Sequence, residues 1–193
     1  MTERPITLEG FERRFQSDPD PWQTFSSVYE LKKRQYLGHA IGNRTYGRCL
    51  EVAAGNGSNT CLIAGKALRL VATEGTPTGV RLMESLTGHL ENTSVRQQDL
   101  AEPMPCRRYD LIVVSEVLYY LTAPVLRNVA RGIDRTLVPN GRLILAHHHE
   151  RFPDAVHSGQ DIHARFLNLT HSSWRVEFRK RTSRYVISRL RRM

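Results

Sequence analysis

The sequence contains few cysteines, and their arrangement argues against disulfide or metal chemistry. Cys49, Cys61 and Cys106 are an odd number, are widely spaced and stand in apolar surroundings. Disulfide frameworks and cysteine-based metal sites use regularly spaced sets of cysteines. We therefore expect three buried thiols and no metal site.

Long apolar runs are also absent. A membrane-spanning helix needs about 20 predominantly apolar residues, and no stretch of the 193 residues approaches that length. Residues 1–5 lack the basic start and the apolar centre of a signal peptide. These observations predict a cytoplasmic protein that does not associate with membranes.

Acidic residues are outnumbered, with 19 Asp and Glu against 28 Lys and Arg, so the formal net charge is +9 and the pI is about 9.9. Such an excess favours acidic partners or nucleic acid. Much of it lies in residues 175–192, where arginines alternate with apolar residues as on the solvent face of a terminal β-hairpin. We favour that solvated face over nucleic-acid binding, which stays open as an alternative.

The length and the apolar content are those of one soluble domain over residues 1–193. Residues 1–21 are expected to form a loosely ordered arm that ends in the stiff run Asp-Pro-Asp-Pro. A helix follows within residues 22–42, and an α/β core occupies residues 48–193.

The helix within residues 22–42 has two interpretations. It could simply pack on the sheet, or it could be a lid over a cofactor pocket. In the second case Trp22 and Tyr29 would be aromatic walls, and Lys33 would pair with a carboxylate. An aromatic wall suits a cationic ligand because the ring face stabilises a desolvated cation.

A strand, a glycine turn and a helix start form one unit near residue 55. The apolar run 49–54 predicts a buried strand, Gly55 and Gly57 predict a tight turn, and residues 58–60 are suitable helix N-caps. Such a turn lets a ligand approach the backbone N–H groups of the helix start. Alone, the pattern is equally typical of a sharp turn without a ligand.

An acidic residue after the next strand favours a ligand that contains ribose. The apolar run 68–73 ends at Glu74, a little over 20 residues after Glu51. In nucleotide-binding βαβ units a carboxylate at this interval accepts hydrogen bonds from the ribose hydroxyls. The dinucleotide fingerprint fits poorly, because its third glycine is missing.

The run of an acidic residue, two small residues and Gly-x-Gly over residues 51–57 resembles motif I of the class I S-adenosylmethionine-dependent methyltransferases. The resemblance implies that S-adenosylmethionine is the cofactor. It assigns to cofactor binding the residues Glu51, Ala53, Gly55, Gly57 and Glu74. It also implies that Asp99 binds the adenine amine beside Leu100, although Asp99 could equally form an ordinary turn.

The apolar run 111–114 predicts a strand that is covered on both faces. Ligands of open α/β sheets bind beyond the carboxyl ends of the strands. We therefore expect Ser115, Glu116, Tyr119 and Tyr120 at the edge of the site, with Ser115 beside the cofactor and Tyr120 beside the substrate.

Residues 110–121, Asp-Leu-Ile-Val-Val-Ser-Glu-Val-Leu-Tyr-Tyr-Leu, resemble the NodS-type nodulation methyltransferases. Residues 20–22, 29–33 and 137–143 extend the resemblance, which covers about residues 22–163. It implies methylation of an amino group on a small molecule such as an amino sugar or a chitooligosaccharide. It also implies that His163 lies on a helix near the rim of the substrate pocket.

Three consecutive histidines, His147 to His149, follow the fifth predicted strand. Alternate residues of a strand point to opposite faces, so the three cannot converge on one metal ion without distortion. We predict that His147 lies at the substrate pocket and that the other two are exposed. A hydrogen-bonded structural role stays open for each histidine.

The order of the elements predicts a Rossmann-like α/β fold: a mostly parallel sheet of seven strands with an antiparallel last strand and helices on both faces. In the predicted methyl transfer Glu116 and His147 accept a proton or orient the amine, and Tyr119 positions the substrate. The alternatives are O- or N-methylation of another small metabolite, and a non-catalytic binding protein whose basic tail contacts nucleic acid.

Overall fold

The computed structural model describes residues 5–105, 107–150 and 152–193. The predicted buried thiol at Cys106 and the first four residues of the arm lie outside these ranges. Cys49 is buried as expected. Cys61 is exposed, so that prediction is wrong: the residue lies on the solvent side of a short helix.

The described residues form one sheet with flanking helices. The strands are β1 (Tyr46–Val52), β2 (Ala67–Glu74), β3 (Thr93–Gln97), β4 (Tyr109–Ser115), β5 (Leu137–His148), β6 (Trp174–Arg181) and β7 (Tyr185–Arg192). The helices are α1 (Leu8–Ser17), α2 (Val28–Ile41), α3 (Thr60–Ala64), α4 (Pro77–Thr87), α5 (Ala123–Thr136) and α6 (Ile162–Leu167), and Leu118–Tyr120 form a 3-10 turn. None of the helices described is long and apolar enough to cross a membrane.

The strand order is β3-β2-β1-β4-β5-β7-β6. Strands β1 to β5 pair in parallel, and β7 runs antiparallel to both β5 and β6. The order reverses between β1 and β4, which is where open α/β sheets bind ligands. The predicted seven-stranded, mostly parallel sheet with an antiparallel last strand is confirmed.

Each face of the sheet carries its own apolar cluster, which explains the unbroken apolar run in β4. Leu111 and Val113 belong to a cluster that includes residues of α2 and α3. Ile112 and Val114 belong to a second cluster, with residues of α5 and α6. Because both faces are covered, alternate residues of the central strands are equally apolar.

The expectation of a loosely ordered arm over residues 1–21 is wrong for α1. Thr7 caps this helix by accepting a hydrogen bond from the Gly10 N–H at 3.2 Å. The Glu12 carboxylate accepts from the backbone N–H of Thr78 (2.9 Å) and from its hydroxyl (2.6 Å). Arg14 donates to Asp154 at 2.6 Å. These contacts join α1 to distant parts of the chain, and the local sequence does not reveal them.

Candidate active site

A pocket of about 620 Å³ opens beyond the carboxyl ends of β1, β2, β4 and β5. This volume lies within the range of about 300–1,000 Å³ that is typical of small-molecule sites. The predicted residues that line the pocket are Trp22, Tyr29, Lys33, Glu51, Ala53, Gly55, Glu74, Asp99, Leu100, Ser115, Glu116, Tyr119 and Tyr120.

The glycine turn is tied to β2 by the Glu74 carboxylate. Gly55, at φ 61°, donates its N–H to Glu74 Oε2 at 3.0 Å. Glu74 Oε1 accepts from the N–H and the hydroxyl of Thr76, at 2.9 and 2.8 Å. Ala53 takes a left-handed conformation with φ 52°, so the turn forms although no glycine stands there. Glu74 itself is part of the pocket wall.

Gly57 does not belong to the pocket lining, which corrects its predicted contact with the cofactor. Its φ is +83°, and an added Cβ would come within 3.2 Å of Met83 Cγ and 3.3 Å of Leu86 Cδ2. The residue is a glycine because the turn packs closely on α4.

Glu51 is a buried carboxyl group at the base of the pocket, only 2% exposed. Thr60 Oγ1 donates to Glu51 Oε2 at 2.7 Å. Burial raises the pKa of Glu51 to about 7, although the hydrogen bond from Thr60 opposes the rise.

Aromatic side chains of the amino-terminal region close one side of the pocket. The Trp22 ring lies 5.4 Å from that of Phe15 and 6.1 Å from that of Phe11. Phe11 makes an edge contact with Tyr120 at 5.1 Å. The sequence prediction missed the two phenylalanines because it placed a loosely ordered arm where α1 lies.

Glu116 is the centre of a charged cluster on the opposite wall. Its carboxylate accepts from Lys33 Nζ (2.8 Å) and from the Tyr119 hydroxyl (2.5 Å). His148 Nδ1 lies 2.8 Å from Glu116 Oε2. Burial favours the neutral acid, but the Lys33 ammonium and the hydrogen bond from His148 outweigh it and hold the pKa of Glu116 well below its usual range. The backbone at Glu116 is left-handed (φ 56°), a conformation that concentrates at functional sites.

Lys33 joins this cluster to α2. Its ammonium lies 2.7 Å from Glu30 and 2.8 Å from Glu116, and the residue is buried. Burial alone would lower the pKa of Lys33, but the two carboxylates outweigh it and raise the pKa. Lys33 was predicted to pair with a carboxylate, and in the structure it pairs with two, those of Glu30 and Glu116.

The histidine prediction is wrong by one residue. His147 is fully buried in the core, and the neighbouring His148 lines the pocket. The β5 strand extends through His148, so consecutive side chains point to opposite faces. The sequence indicated that successive histidines point to opposite faces of the sheet, but it did not indicate which of them faces the pocket.

His163 lies on a helix, as expected, but it is buried away from the pocket rim. His147 Nε2 accepts the Leu118 N–H at 3.2 Å, so the proton of this neutral imidazole is on Nδ1. His147 Nδ1 lies 3.1 Å from His163 Nε2, and His163 Nδ1 lies 3.4 Å from Ser188 Oγ. Burial lowers the pKa of His147 to about 4 and that of His163 well below its usual value. Both histidines hold the structural role that the sequence left open.

Asp99 and Leu100 line the pocket beyond β3. The Asp99 carboxylate accepts from the Ala101 N–H at 2.8 Å, and Asp99 itself is exposed. Asp99 therefore shapes a turn and faces the pocket at the same time, so its two interpretations are compatible.

The sequence did not assign several of the pocket residues to the site: Glu30, His148, Glu150, Phe152 and Arg184. Arg184 Nε lies 2.8 Å from Glu150, and its guanidinium lies 4.0 Å from the centre of the Tyr29 ring. These residues come from separate parts of the chain, and pairing of β7 with β5 brings Arg184 close to the residues that follow β5. Within the described ranges, no group of three or more His, Cys, Asp or Glu side chains could hold a metal ion.

Comparison with known families identifies relatives across most of the chain. The family model described as Nodulation protein S matches residues 9–180. Nodulation protein S of Bradyrhizobium diazoefficiens is 30% identical over 127 residues, or 65% of this chain and 61% of that protein. Nodulation protein S of Sinorhizobium fredii is 24% identical over 65% of this chain and 59% of that protein. The alignments thus span about three fifths of these relatives.

Solved structures share the fold. The crystal structure of N-methyltransferase NodS from Bradyrhizobium japonicum in complex with S-adenosylhomocysteine has a TM-score of 0.82 at 20% identity, over 96% of this chain and 97% of that chain. The DhpI complex with the same ligand has a TM-score of 0.76 at 18% identity, over 96% and 94%. Because the family model spans residues 9–180, this chain belongs to the Nodulation protein S family.

Proposed function

We propose that this protein transfers a methyl group from S-adenosylmethionine to the amine of a small acceptor that carries hydroxyl groups, such as an amino sugar or a chitooligosaccharide. The observation that carries the proposal is the Glu74 carboxylate, held against the glycine turn at the point where the strand order reverses. Membership of the Nodulation protein S family supports the same chemistry, as does the shared fold with NodS, which is an N-methyltransferase.

The residues present fit S-adenosylmethionine. Glu74 would accept hydrogen bonds from the ribose hydroxyls, since each carboxylate oxygen can accept more than one. Asp99 and Leu100 would face the adenine, beside the left-handed turn at Ala53 and Gly55. The Tyr29 hydroxyl is buried in the pocket wall and has no hydrogen-bond partner among the described residues, as expected of a group that a ligand satisfies.

The cofactor supplies a methyl group on a sulfonium sulfur; when a nitrogen lone pair attacks the methyl carbon, the C–S electron pair stays on sulfur. The protein therefore has to align the acceptor, exclude water and remove a proton. Tyr119 and Tyr120 line the acceptor side, and the phenol of Tyr119 is fixed by Glu116 at 2.5 Å. We propose Tyr119 as the residue that positions the acceptor, with Tyr120 beside it.

The alternative of a nucleic-acid-binding tail is less well supported, because the terminal arginines are engaged within the fold. Arg189 Nε lies 3.1 Å from Glu177, and Arg191 donates to Asn140 at 2.7 Å. Arg192 donates to the carbonyl of Asp134 at 2.8 Å and to that of Leu137. Guanidinium groups used in this way are less available to phosphates.

The proposal is tested by the release of S-adenosylhomocysteine with two matched acceptors, chitooligosaccharides with a free amine at one end and the same oligomers fully N-acetylated. We expect release only with the free amine. Equal release from both would replace N-methylation with O-methylation. No release from these oligomers or from a panel of small amines, by protein that binds the cofactor, would overturn the proposed transfer.

A further inference from the structure

We infer that His148 is the proton acceptor of the transfer and that Glu116 is the positioning residue that orients it. This inference rests on the proposed function. It changes the sequence-based assignment, in which Glu116 and His147 shared the task.

The geometry fixes which nitrogen of His148 can accept a proton. Glu116 Oε2 lies 2.8 Å from His148 Nδ1 and also accepts the His148 backbone N–H at 3.2 Å. An ionised carboxylate can only accept, so Nδ1 carries the proton and Nε2 keeps its lone pair. The neighbouring Glu30 Oε1 is 3.7 Å from Nε2, too far for a hydrogen bond. Within the part of the chain that the structure describes, His148 Nε2 therefore has no hydrogen-bond partner, and this residue of the pocket wall offers a basic nitrogen.

Glu116, Lys33 and Tyr119 of this cluster are poor proton acceptors at neutral pH. The Glu116 carboxylate already accepts hydrogen bonds from Lys33, Tyr119 and His148, and its lowered pKa makes it a weak base. Lys33 is a cation with a raised pKa. Tyr119 donates to Glu116, and burial raises the pKa of its phenol well above the usual value.

Aromatic rings and charged groups surround the His148 imidazole. Tyr29, Phe152 and Tyr185 surround the imidazole, with ring centres 5.4, 5.9 and 6.4 Å away. Charged groups face it from two elements: Glu116 from the loop after β4, and Glu30 and Lys33 from α2. Two carboxylates against one ammonium make this part of the pocket attractive to an incoming ammonium ion.

The proposed reaction has two steps, a proton transfer followed by a methyl transfer. His148 Nε2 takes one proton from the acceptor ammonium, which leaves a neutral amine and an imidazolium ion. The amine lone pair then forms the new N–C bond while the S–C bond breaks, which gives a methylated ammonium and S-adenosylhomocysteine. The imidazolium returns its proton to water.

The direct test is His148→Gln, with His149→Gln as the matched control. His149 is the next residue along the chain and does not line the pocket. General-base catalysis contributes about 10²–10⁴-fold, so we expect His148→Gln to lower kcat by at least 100-fold. The dissociation constant for S-adenosylhomocysteine should stay within about twofold, and His149→Gln should keep the wild-type kcat. A kcat of His148→Gln near that of the wild type would overturn the inference.

The pH profile separates a proton acceptor from a structural residue. In the wild type, kcat should fall on acidification, as expected of a reaction that depends on a general base. The residual activity of His148→Gln should lack this acidic limb, whereas His149→Gln should keep it. An acidic limb that is the same in His148→Gln and in the wild type would contradict the assignment.

A measurement of the tautomer needs no acceptor. Long-range ¹H–¹⁵N spectra of the complex with S-adenosylhomocysteine should show His148 protonated at Nδ1 near neutral pH, with the assignment made by the loss of its signals in His148→Gln. A proton on Nε2 would refute the inference while the proposed function stands. If the wild type neither binds the cofactor nor transfers methyl groups, the proposed function itself fails.

Discussion

Replacing the buried carboxyl group of Glu51 by an amide should change how stability depends on pH. Glu51→Gln keeps a carbonyl oxygen that can accept the Thr60 hydroxyl, which now lies 2.7 Å from Glu51 Oε2. The variant removes the ionisable group and nearly preserves the shape. The difference between the two proteins therefore isolates the cost of ionising Glu51.

The sign and the size of this pH-dependent change in stability follow from the raised pKa of Glu51. The pKa of Glu51 is about 7 in the folded protein, against a usual value of 4.5. The folded state thus binds a proton more tightly, so the stabilisation is fully present below pH 4.5 and is lost as the pH rises through about 7. Each pKa unit corresponds to about 1.4 kcal/mol, so the loss amounts to about 3 kcal/mol.

Urea unfolding of the wild type and of Glu51→Gln between pH 4.5 and 8 measures this difference. As the pH rises over that interval, the free energy of unfolding of the variant should increase by about 3 kcal/mol relative to that of the wild type. The contributions of other titrating groups cancel in the subtraction. A difference in the free energy of unfolding that stays constant with pH would refute the reasoning, because Glu51 would then ionise equally in both states.

Three further predictions concern the cofactor, the core histidine and the turn. Glu74→Ala should weaken S-adenosylhomocysteine binding about 10- to 100-fold in calorimetry, since charge-assisted hydrogen bonds contribute about 1.5–3 kcal/mol; an unchanged dissociation constant would exclude Glu74 from the site. Relative to His147→Gln, the wild type should lose about 3 kcal/mol of unfolding free energy as the pH falls from 6.5 through about 4, because the pKa of buried His147 is lowered to about 4; urea titrations of the two proteins that run parallel over this range would contradict the assignment. Gly57→Ala should cost about 2 kcal/mol or more, because its Cβ would meet Met83 at a positive φ; Gly65→Ala is the control, since its closest contact is 3.7 Å, and equal unfolding energies would argue against the turn geometry.

The sheet was predictable from the sequence because its signals are local. The continuous apolar run of β4 reflects burial on both faces, and the alternating tail predicted the antiparallel hairpin that the structure shows. The acidic residue at the end of β2 was placed by its distance along the chain, and Glu74 does lie beside the glycine turn.

The sequence-based predictions were wrong where tertiary contacts determine the structure. Helix α1 is held by Glu12 at the start of α4 and by Arg14 on Asp154, more than 60 residues away. The phase of the histidine run depends on where β5 ends, and a shift of one residue exchanges the core face for the pocket. The pairing of His148 with Glu116 could not be found from spacing, because it joins two different strand ends.

Calorimetric titration of the purified protein with S-adenosylmethionine and S-adenosylhomocysteine tests the central claim most directly. We predict that both ligands bind with micromolar dissociation constants, and that Glu74→Ala weakens both. The absence of binding by the wild type at millimolar ligand would contradict the account, because the glycine turn and Glu74 would then serve only the fold.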